Sequence, residues 1–277
     1  MEPAENLRGT PHWSYSALNT FLQCPMKYAL RYVEHAQEER VGVCFPFGRA
    51  FHAALSARAL NGPSFTLTEA KDCFAGVFEA DTTAIGPALT YKPDESFDGC
   101  INKAGEMLSV ALENWQDDYT VKSVAETFSV TIPGVDRPLI GEFDLVVEEG
   151  GREPCIVDWK TSSSRWPMGK SDYERQPSAY CYAYRAKYQH TPIFRYDVIT
   201  KAKQPQVGSW YTVRTEDELS RFEDLCRQVD RCVNAGAFYR NESVMNCPDC
   251  PYRNRCRTKG GYSFRTYRPN HSGTRVE

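Results

Sequence analysis

Apolar residues recur at helical spacing near the start of the chain. In SYSALNTFLQCPMKYALRYV, Ser14 to Val33, the residues Leu18, Phe21 and Leu22 share one helical face, and Ser16 is the expected N-cap. Pro25 follows Cys24 and fits the first turn of a second short helix, whose Tyr28, Ala29 and Tyr32 turn inward. Phe47 to Leu60 reads as a third helix, carrying His52. Residues 64–118 read as mostly helical, with a break near Gly86–Pro93. From Tyr119 the period changes to two. VKSVAETFSVTI and LIGEFDLVVEE alternate as strands around a VDRP turn, and CIVDWK follows a Gly150–Gly151 turn as a third strand. Tyr173 to Tyr188 is expected as one helix, with Pro177 tolerated only near its start. IFRYDVIT and QVGSWYTV are two more strands, and Glu216 to Ala235 is an amphipathic helix. This order predicts an α/β fold, one sheet packed by helices, and argues against two independent domains.

Composition adds a few constraints. The 277 residues are 41 % hydrophobic and 13 % aromatic, which supports a sizeable core and excludes general disorder. The net charge of −3 is uninformative, but its distribution is uneven. Ser64 to Asp118 holds eleven acids and three lysines, net −8, whereas Pro251 to Glu277 holds seven basic residues and one acid, net +6. A basic tail is a candidate polyanion contact, and equally a solvated tail. The opening MEPAENLRGTPHWSYS lacks the apolar core of a secretory signal, and no apolar run approaches a membrane span. The expectation is a cytoplasmic protein (host cytoplasm if viral, nuclear in a eukaryote) with no membrane contact. Eleven cysteines in such a compartment do not read as disulfides. Cys44, Cys73, Cys100, Cys155, Cys181, Cys226 and Cys232 lie among apolar neighbours and read as ordinary buried thiols.

Two constellations carry chemistry. Asp144 closes GEFD on one strand, and Asp158 and Lys160 lie in CIVDWK on the next. A two-residue step keeps Asp158 and Lys160 on one strand face, and a hairpin brings Asp144 beside them. Converging carboxylates repel unless a cation sits between them. A hard ion such as Mg²⁺ takes oxygen ligands and keeps some of its waters. A neighbouring ammonium can orient or activate one such water, which suits metal-assisted attack on a phosphodiester. Asp-x-Lys also recurs by chance, and a solvated strand end is the bland alternative. The second constellation is Cys24 with Cys247, Cys250 and Cys256, the last three in CPDCPYRNRC. Four thiolates suit a [4Fe–4S] cluster or structural zinc. The prolines after Cys24, Cys247 and Cys250 restrict the backbone around them.

In this order the motifs resemble the PD-(D/E)XK nuclease superfamily, where Asp, then Asp or Glu, then x-Lys spans two adjacent strands. Within it the chain resembles the RecB-like branch of CRISPR-associated RecB-like exonucleases and the AddB nuclease domain. FGRAFHAAL is similar to that branch's helix with a metal-binding His, here His52. QPSAYCYAY is similar to its helix with Gln and Tyr four apart, here Gln176 and Tyr180, on one helix face. Glu126 stands where the branch often has an acid one strand earlier, although a surface glutamate is the plainer reading.

The resemblance implies a restriction-endonuclease-like core, a central mixed sheet flanked by helices, in a single nuclease domain over residues 1–277. Its parts would be amino-terminal helices at 14–33, an acidic helical insertion at 64–118, the sheet core at 119–213, the cysteine cluster at 247–256 and a basic tail at 259–277. It implies Mg²⁺ or Mn²⁺ held by His52, Asp144, Asp158 and the Trp159 carbonyl, with Lys160 positioning the attacking water and Gln176 and Tyr180 positioning the strand. It implies a [4Fe–4S] cluster on Cys24, Cys247, Cys250 and Cys256 that staples the two ends, with zinc as the alternative. The implied substrate is DNA, single-stranded or end-containing duplex. The implied activity is exonuclease action in recombination, repair, phage replication or CRISPR adaptation, beside a separate helicase, recombinase or CRISPR adaptation protein. Arg175, Lys201 and Lys203 are candidate phosphate contacts. The rival is a DNA-binding or recombination-partner module on the same fold that does not cut. GKS at Gly169–Ser171 is no phosphate loop, because Ser164 stands where its first glycine is required. No ATP motor is therefore expected in this chain.

Overall fold

The computed structural model describes residues 11–258 apart from Arg152; the expected basic tail at 259–277 lies outside the described residues. Ser14, and not the expected Ser16, caps the first helix, α1 (Tyr15–Gln23), its Oγ accepting from the Ala17 N–H at 3.1 Å. The choice is made by Trp13, whose N–H and C=O bond Pro138 and Ile140 and so fix where the extended chain ends. Pro25 opens α2 (Pro25–Tyr28), where its missing N–H costs nothing, and a π-turn continues it over Ala29–Val33. A short strand, β1 (Val41–Gly42), precedes α3 (Cys44–Asn61). Next come α4 (Leu67–Ile85), β2 (Leu89–Thr90), which pairs in parallel with β1, and α5 (Phe97–Glu113). The expected break falls at Gly86, whose φ of 59° ends α4 without strain.

The period-two stretches form β3 (Thr120–Val130), β4 (Leu139–Glu148) and β5 (Cys155–Ser162). After α6 (Lys170–Tyr173) and α7 (Gln176–Tyr188) the chain returns through β6 (Ile193–Thr200) and β7 (Val207–Thr212), then α8 (Glu216–Asn234) and α9 (Arg253–Thr258). The expected single helix over Tyr173–Tyr188 is divided at Glu174, which is extended, so that Pro177 falls in the first turn of α7. The sheet order is β3-β4-β5-β6-β7. Only β5 and β6 run parallel, and their crossover contains α7, since parallel neighbours cannot be joined by a tight turn. The result is the single helix-packed sheet that the pattern predicts, and the mixed sheet that the resemblance implies.

Each sheet face carries its own core. One buries Phe128, Phe143, Ile156 and Phe194 beneath α1, α7 and α8. The other buries Leu145, Val147, Val157 and Trp159 beneath α3, α4 and α5. The acidic stretch 64–118 thus supplies half of a core, through Phe74, Phe78, Met107 and Leu108; its acids occupy the outer faces. Truncating Phe74 to Ala is expected to cost about 3–5 kcal/mol in urea unfolding, because Phe47, Phe51 and Phe78 all pack on its ring.

Of the seven cysteines expected in the core, Cys100, Cys155, Cys181 and Cys226 are buried, but Cys44 and Cys232 are exposed and Cys73 is half-buried. Cys44 is the first residue of α3, and Cys232 lies near the end of α8. Among the described residues, no helix is long and apolar enough to cross a membrane.

Candidate active site

The site forms where β4 and β5 separate. Their ladder ends at Leu145 opposite Val157, and the next residues on the two strands are Asp144 and Asp158. Beyond that point the Trp159 N–H donates to Asp144 Oδ2 at 3.0 Å, so a side chain replaces the missing backbone acceptor. N–H and C=O of one strand residue point the same way, so the Trp159 carbonyl also faces the gap. The other edge of β5 stays paired with β6 through Ser162, which keeps the strand straight. Gly141, at the start of GEFD, is required by packing: a Cβ there would collide with the Phe128 ring. Across β3, Ala125 falls opposite Asp144 and has a φ of 49°, a left-handed conformation that costs a non-glycine residue about 1–2 kcal/mol.

Asp158 is 2 % exposed. Its Oδ1 accepts from Gln176 Nε2 at 2.6 Å, and its Oδ2 forms an ion pair with Lys160 Nζ. That oxygen has no other hydrogen-bond partner. The Lys160 ammonium also lies 5.6 Å from the Tyr196 ring centroid. From α3, His52 Nδ1 approaches Asp144 Oδ2 at 3.2 Å. Tyr180, one turn beyond Gln176, is wedged among Phe128, Phe143 and Phe194. It lines, with Asp144, Glu142, Arg31 and Tyr32, a cavity of about 410 Å³ that opens onto the site.

Two carboxylates in so little water must be compensated. Burial pushes the Asp158 carboxyl up to about 6, and the Asp144 charge adds to this, against Lys160. Burial acts the same way on Asp144, but His52, Lys160 and the Trp159 N–H outweigh it and hold that carboxyl below its ordinary value. Burial would lower the His52 imidazole, yet the Asp144 charge and hydrogen bond raise it above the usual histidine range. The protein therefore sets Lys160 and His52 against the two acids.

A scan against protein-family models matches residues 12–257 to the PD-(D/E)XK nuclease superfamily. The chain belongs to the PD-(D/E)XK nuclease superfamily. No curated protein matches the chain by sequence. Among solved structures, a candidate exonuclease from Eubacterium rectale aligns with a TM-score of 0.57 at 14 % identity, over 91 % of this chain and 93 % of that one, which supports the fold. The structure of SSO0001 aligns with a TM-score of 0.33 at 13 % identity over 87 % and 94 %, too low to carry an argument. The match spans every residue of the PD-(D/E)XK site described above, and all four cysteines.

Metals in this superfamily are Mg²⁺ or Mn²⁺, and the donor set fits a hard cation: two carboxylates, an imidazole and the outward Trp159 carbonyl. Among the described residues no three His, Cys, Asp or Glu side chains converge at metal-holding distances; in this structure Lys160 and Gln176 contact Asp158, and His52 contacts Asp144. Cys24, Cys247, Cys250 and Cys256, from the two ends of the chain, line one cavity of about 410 Å³, although no three of their thiols converge at metal-holding distances. Lys27, Arg240, Arg253 and Arg257 line the same cavity, and Arg253 Nε is buried without a partner there. Burial raises the Cys250 and Cys256 thiols, against Lys27 and Arg240 respectively.

Two expectations change, and one residue was missed. Glu126 is buried and not a surface residue, since Ser123, Lys187 and Tyr188 all bond its carboxylate. It lies at the far end of α7 from Gln176 and does not join the site. Lys201 is half-buried with Nζ 3.7 Å from the Phe47 ring centroid, and burial holds it below the usual lysine range; it is not a free phosphate contact. Tyr196 escaped the sequence reading, because the parallel register that sets it opposite Asp158 cannot be read from alternation.

Burial opposes ionisation of Glu126, but Lys187, Ser123 and Tyr188 hold its pKa below the ordinary glutamate value. A carboxyl lowered in the folded state stabilises above its unfolded pKa and loses that contribution as pH falls through the folded one. Glu126→Gln is therefore expected to flatten the fall of Tm with acidification below about pH 5. Parallel acid melting curves for parent and variant would contradict this.

Proposed function

We propose that this chain is a metal-dependent DNA nuclease of the RecB-like branch that acts from strand ends. The observation that carries the reading is the Asp144–Asp158 pair at the open end of the β4–β5 ladder, with Lys160 against the same buried carboxylate. A candidate exonuclease as a fold neighbour is consistent with it.

In this reading His52, Asp144, Asp158 and the Trp159 carbonyl hold Mg²⁺ or Mn²⁺. The ion supplies Lewis-acid polarisation of the phosphodiester and a more acidic water. Lys160 orients the attacking water and balances the negative charge that grows on the phosphoryl oxygens. Gln176 fixes the Asp158 carboxylate through Oδ1, leaving Oδ2 toward Lys160 and the gap. Tyr180 borders the strand's path beside Asp144. Arg175 and Lys203 contact backbone phosphates. Cys24, Cys247, Cys250 and Cys256 hold a [4Fe–4S] cluster in a single nuclease domain, and the cations around that cavity suit an anionic cluster; zinc is the alternative. A separate helicase, recombinase or CRISPR adaptation protein supplies the strand.

End-labelled single- and double-stranded DNA, incubated with Mn²⁺ or Mg²⁺, tests the proposal. Stepwise shortening that disappears in Asp158→Ala is expected. DNA binding without cleavage under either ion would leave the rival, a DNA-binding module that does not cut. Gln176→Ala should slow cleavage by about tenfold while Asp158 keeps Lys160, and a rate equal to the parent's would remove Gln176 from the site.

A further inference from the structure

The loop between β5 and α7 carries Trp166, Met168 and Tyr173; it leaves the end of β5, and its Ser171–Tyr173 part packs against β7. Met168 is 96 % exposed and Tyr173 is 90 % exposed. Single exposed apolar side chains are ordinary; these are notable because the backbone that carries them is pinned. Arg214, itself buried, donates from Nη2 to the Ser171 carbonyl at 2.9 Å and the Glu174 carbonyl at 3.0 Å, and from Nε to Ser178 Oγ at 3.0 Å. Asp172 Oδ1 accepts from Thr212 Oγ1 at 2.9 Å. The chain is thus fixed on both sides of Tyr173, and the ring is turned to solvent. At the other end of the loop Trp166 packs 4.9 Å from the Tyr196 ring, with Lys170 Nζ 4.1 Å from its own ring centroid. Tyr196 is also the ring that Lys160 Nζ faces, so the root of the loop stands against the candidate catalytic lysine.

Charge on this surface favours a polyanion. Arg165, Arg175 and Lys203 form no ion pair among the described residues. The loop's acids are engaged, Asp172 by Thr212 and Glu174 by Lys170 at 3.8 Å. Arg165 and Lys203 also line a groove of about 450 Å³ with Thr200, Gln204 and Gln206 at the ends of the strands. Cations interleaved with rigid, flat or polarisable apolar groups are what unpaired bases on a phosphate backbone require. Duplex bases already stack on one another and offer such side chains little.

Resting on the nuclease reading above, we infer that the loop 163–175 is a stacking platform for single-stranded DNA. Tyr173 and Met168 lie under unpaired bases, and Arg175 and Arg165 hold the backbone that leads to Lys160. Preorganisation by Arg214 removes the ordering cost that a mobile loop would incur on binding.

Fluorescence anisotropy with a labelled oligo-dT single strand and a labelled blunt duplex, both in EDTA, tests the inference. Tyr173→Ala with Met168→Ser should weaken oligo-dT binding about tenfold or more and duplex binding less than threefold. Tyr173→Trp should restore the oligo-dT affinity, and Tyr173→Leu should not, which separates stacking from bulk apolarity. Equal loss on both ligands, unchanged oligo-dT affinity, or full rescue by Leu would each overturn the platform. Cleavage of the same oligonucleotide with Mn²⁺ is scored separately. Binding through Tyr173 without cleavage would defeat the nuclease reading and keep the platform, whereas cleavage with binding indifferent to Tyr173 would do the reverse.

Discussion

Lys160→Ala is expected to slow DNA cleavage by at least about 100-fold and to leave the fold standing. The side chain reaches Asp158 and the Tyr196 ring and is partly exposed, so its loss opens no cavity in either core. The buried Asp158 carboxylate would lose its cation, but it has another way to be neutral. Its pKa already lies up at about 6 through burial and the nearby Asp144 charge. Without Lys160 it rises further, and the folded protein simply binds a proton there. A carboxyl raised in this way costs stability as pH climbs above its unfolded value. The metal-free parent is therefore penalised at neutral pH, and bound Mn²⁺ should relieve the penalty. Protons and metal compete for the same oxygens, so Mn²⁺ should raise Tm more at pH 8 than at pH 6 in the parent. In Lys160→Ala that crossover should move to higher pH. Cleavage by the variant within tenfold of the parent would end the catalytic role of Lys160. A Mn²⁺ effect on Tm that is the same at both pH values would end the metal role of Asp158.

The parts of this site that could be read from sequence are those fixed by local geometry. Asp158 and Lys160 share a face because strands have period two. Gln176 and Tyr180 share one because helices bring residues four apart together. What could not be read depends on partners far along the chain. Glu126 looks like a surface acid until β3 is laid beside the end of α7, where Lys187 and Tyr188 wait. Ser14 and Ser16 are equally good caps, and only the bonds of Trp13 to the β3–β4 turn select the first. The onset of α7 is hidden for a similar reason: Arg214, beyond two strands, holds Ser171 to Glu174 out of the helix. The acids of residues 64–118 obscured an apolar stripe that fills half of the second core. Family resemblance added the likeness of His52 to a known ligand, which no spacing rule supplies, because His52 stands on α3 and meets Asp144 only through packing.

Cys24→Ala is the second substitution expected to have a large effect, and it tests whether a metal joins the ends of the chain. Protein purified without oxygen is expected to be brown, with a broad absorption near ~400 nm from thiolate-ligated iron, and the variant colourless. The segment that follows α8 is poorly anchored by apolar burial. Tyr252 is its one large side chain among those fully buried. Phe238 stacks on Tyr28 at the start of the segment, and the ties beyond it include the Met26 N–H to the Tyr239 carbonyl, Asn241 Nδ2 to the Gln23 carbonyl at 2.7 Å, and Glu39 accepting from the Asn254 and Arg255 N–H groups at 3.1 and 2.8 Å. Most of these are exposed, and exposed hydrogen bonds contribute little net stability each. A structural metal site contributes on the order of 10 kcal/mol, and closing so long a loop costs only slightly more than closing a short one. Loss of the site should therefore lower Tm by about 10 °C or more and free residues 239–258 to proteolysis. Cys181→Ala is the control. Its thiol is buried beside the Pro192 carbonyl, away from the four-cysteine cavity, so colour should survive at a cost of about 1 kcal/mol. Colourless anaerobic protein with one equivalent of zinc would replace the cluster with zinc and keep the joint. Soluble Cys24→Ala protein that cleaves DNA at the parent's rate, melts at its temperature and holds no metal would show that the hydrogen bonds suffice, and the joint would be dismissed.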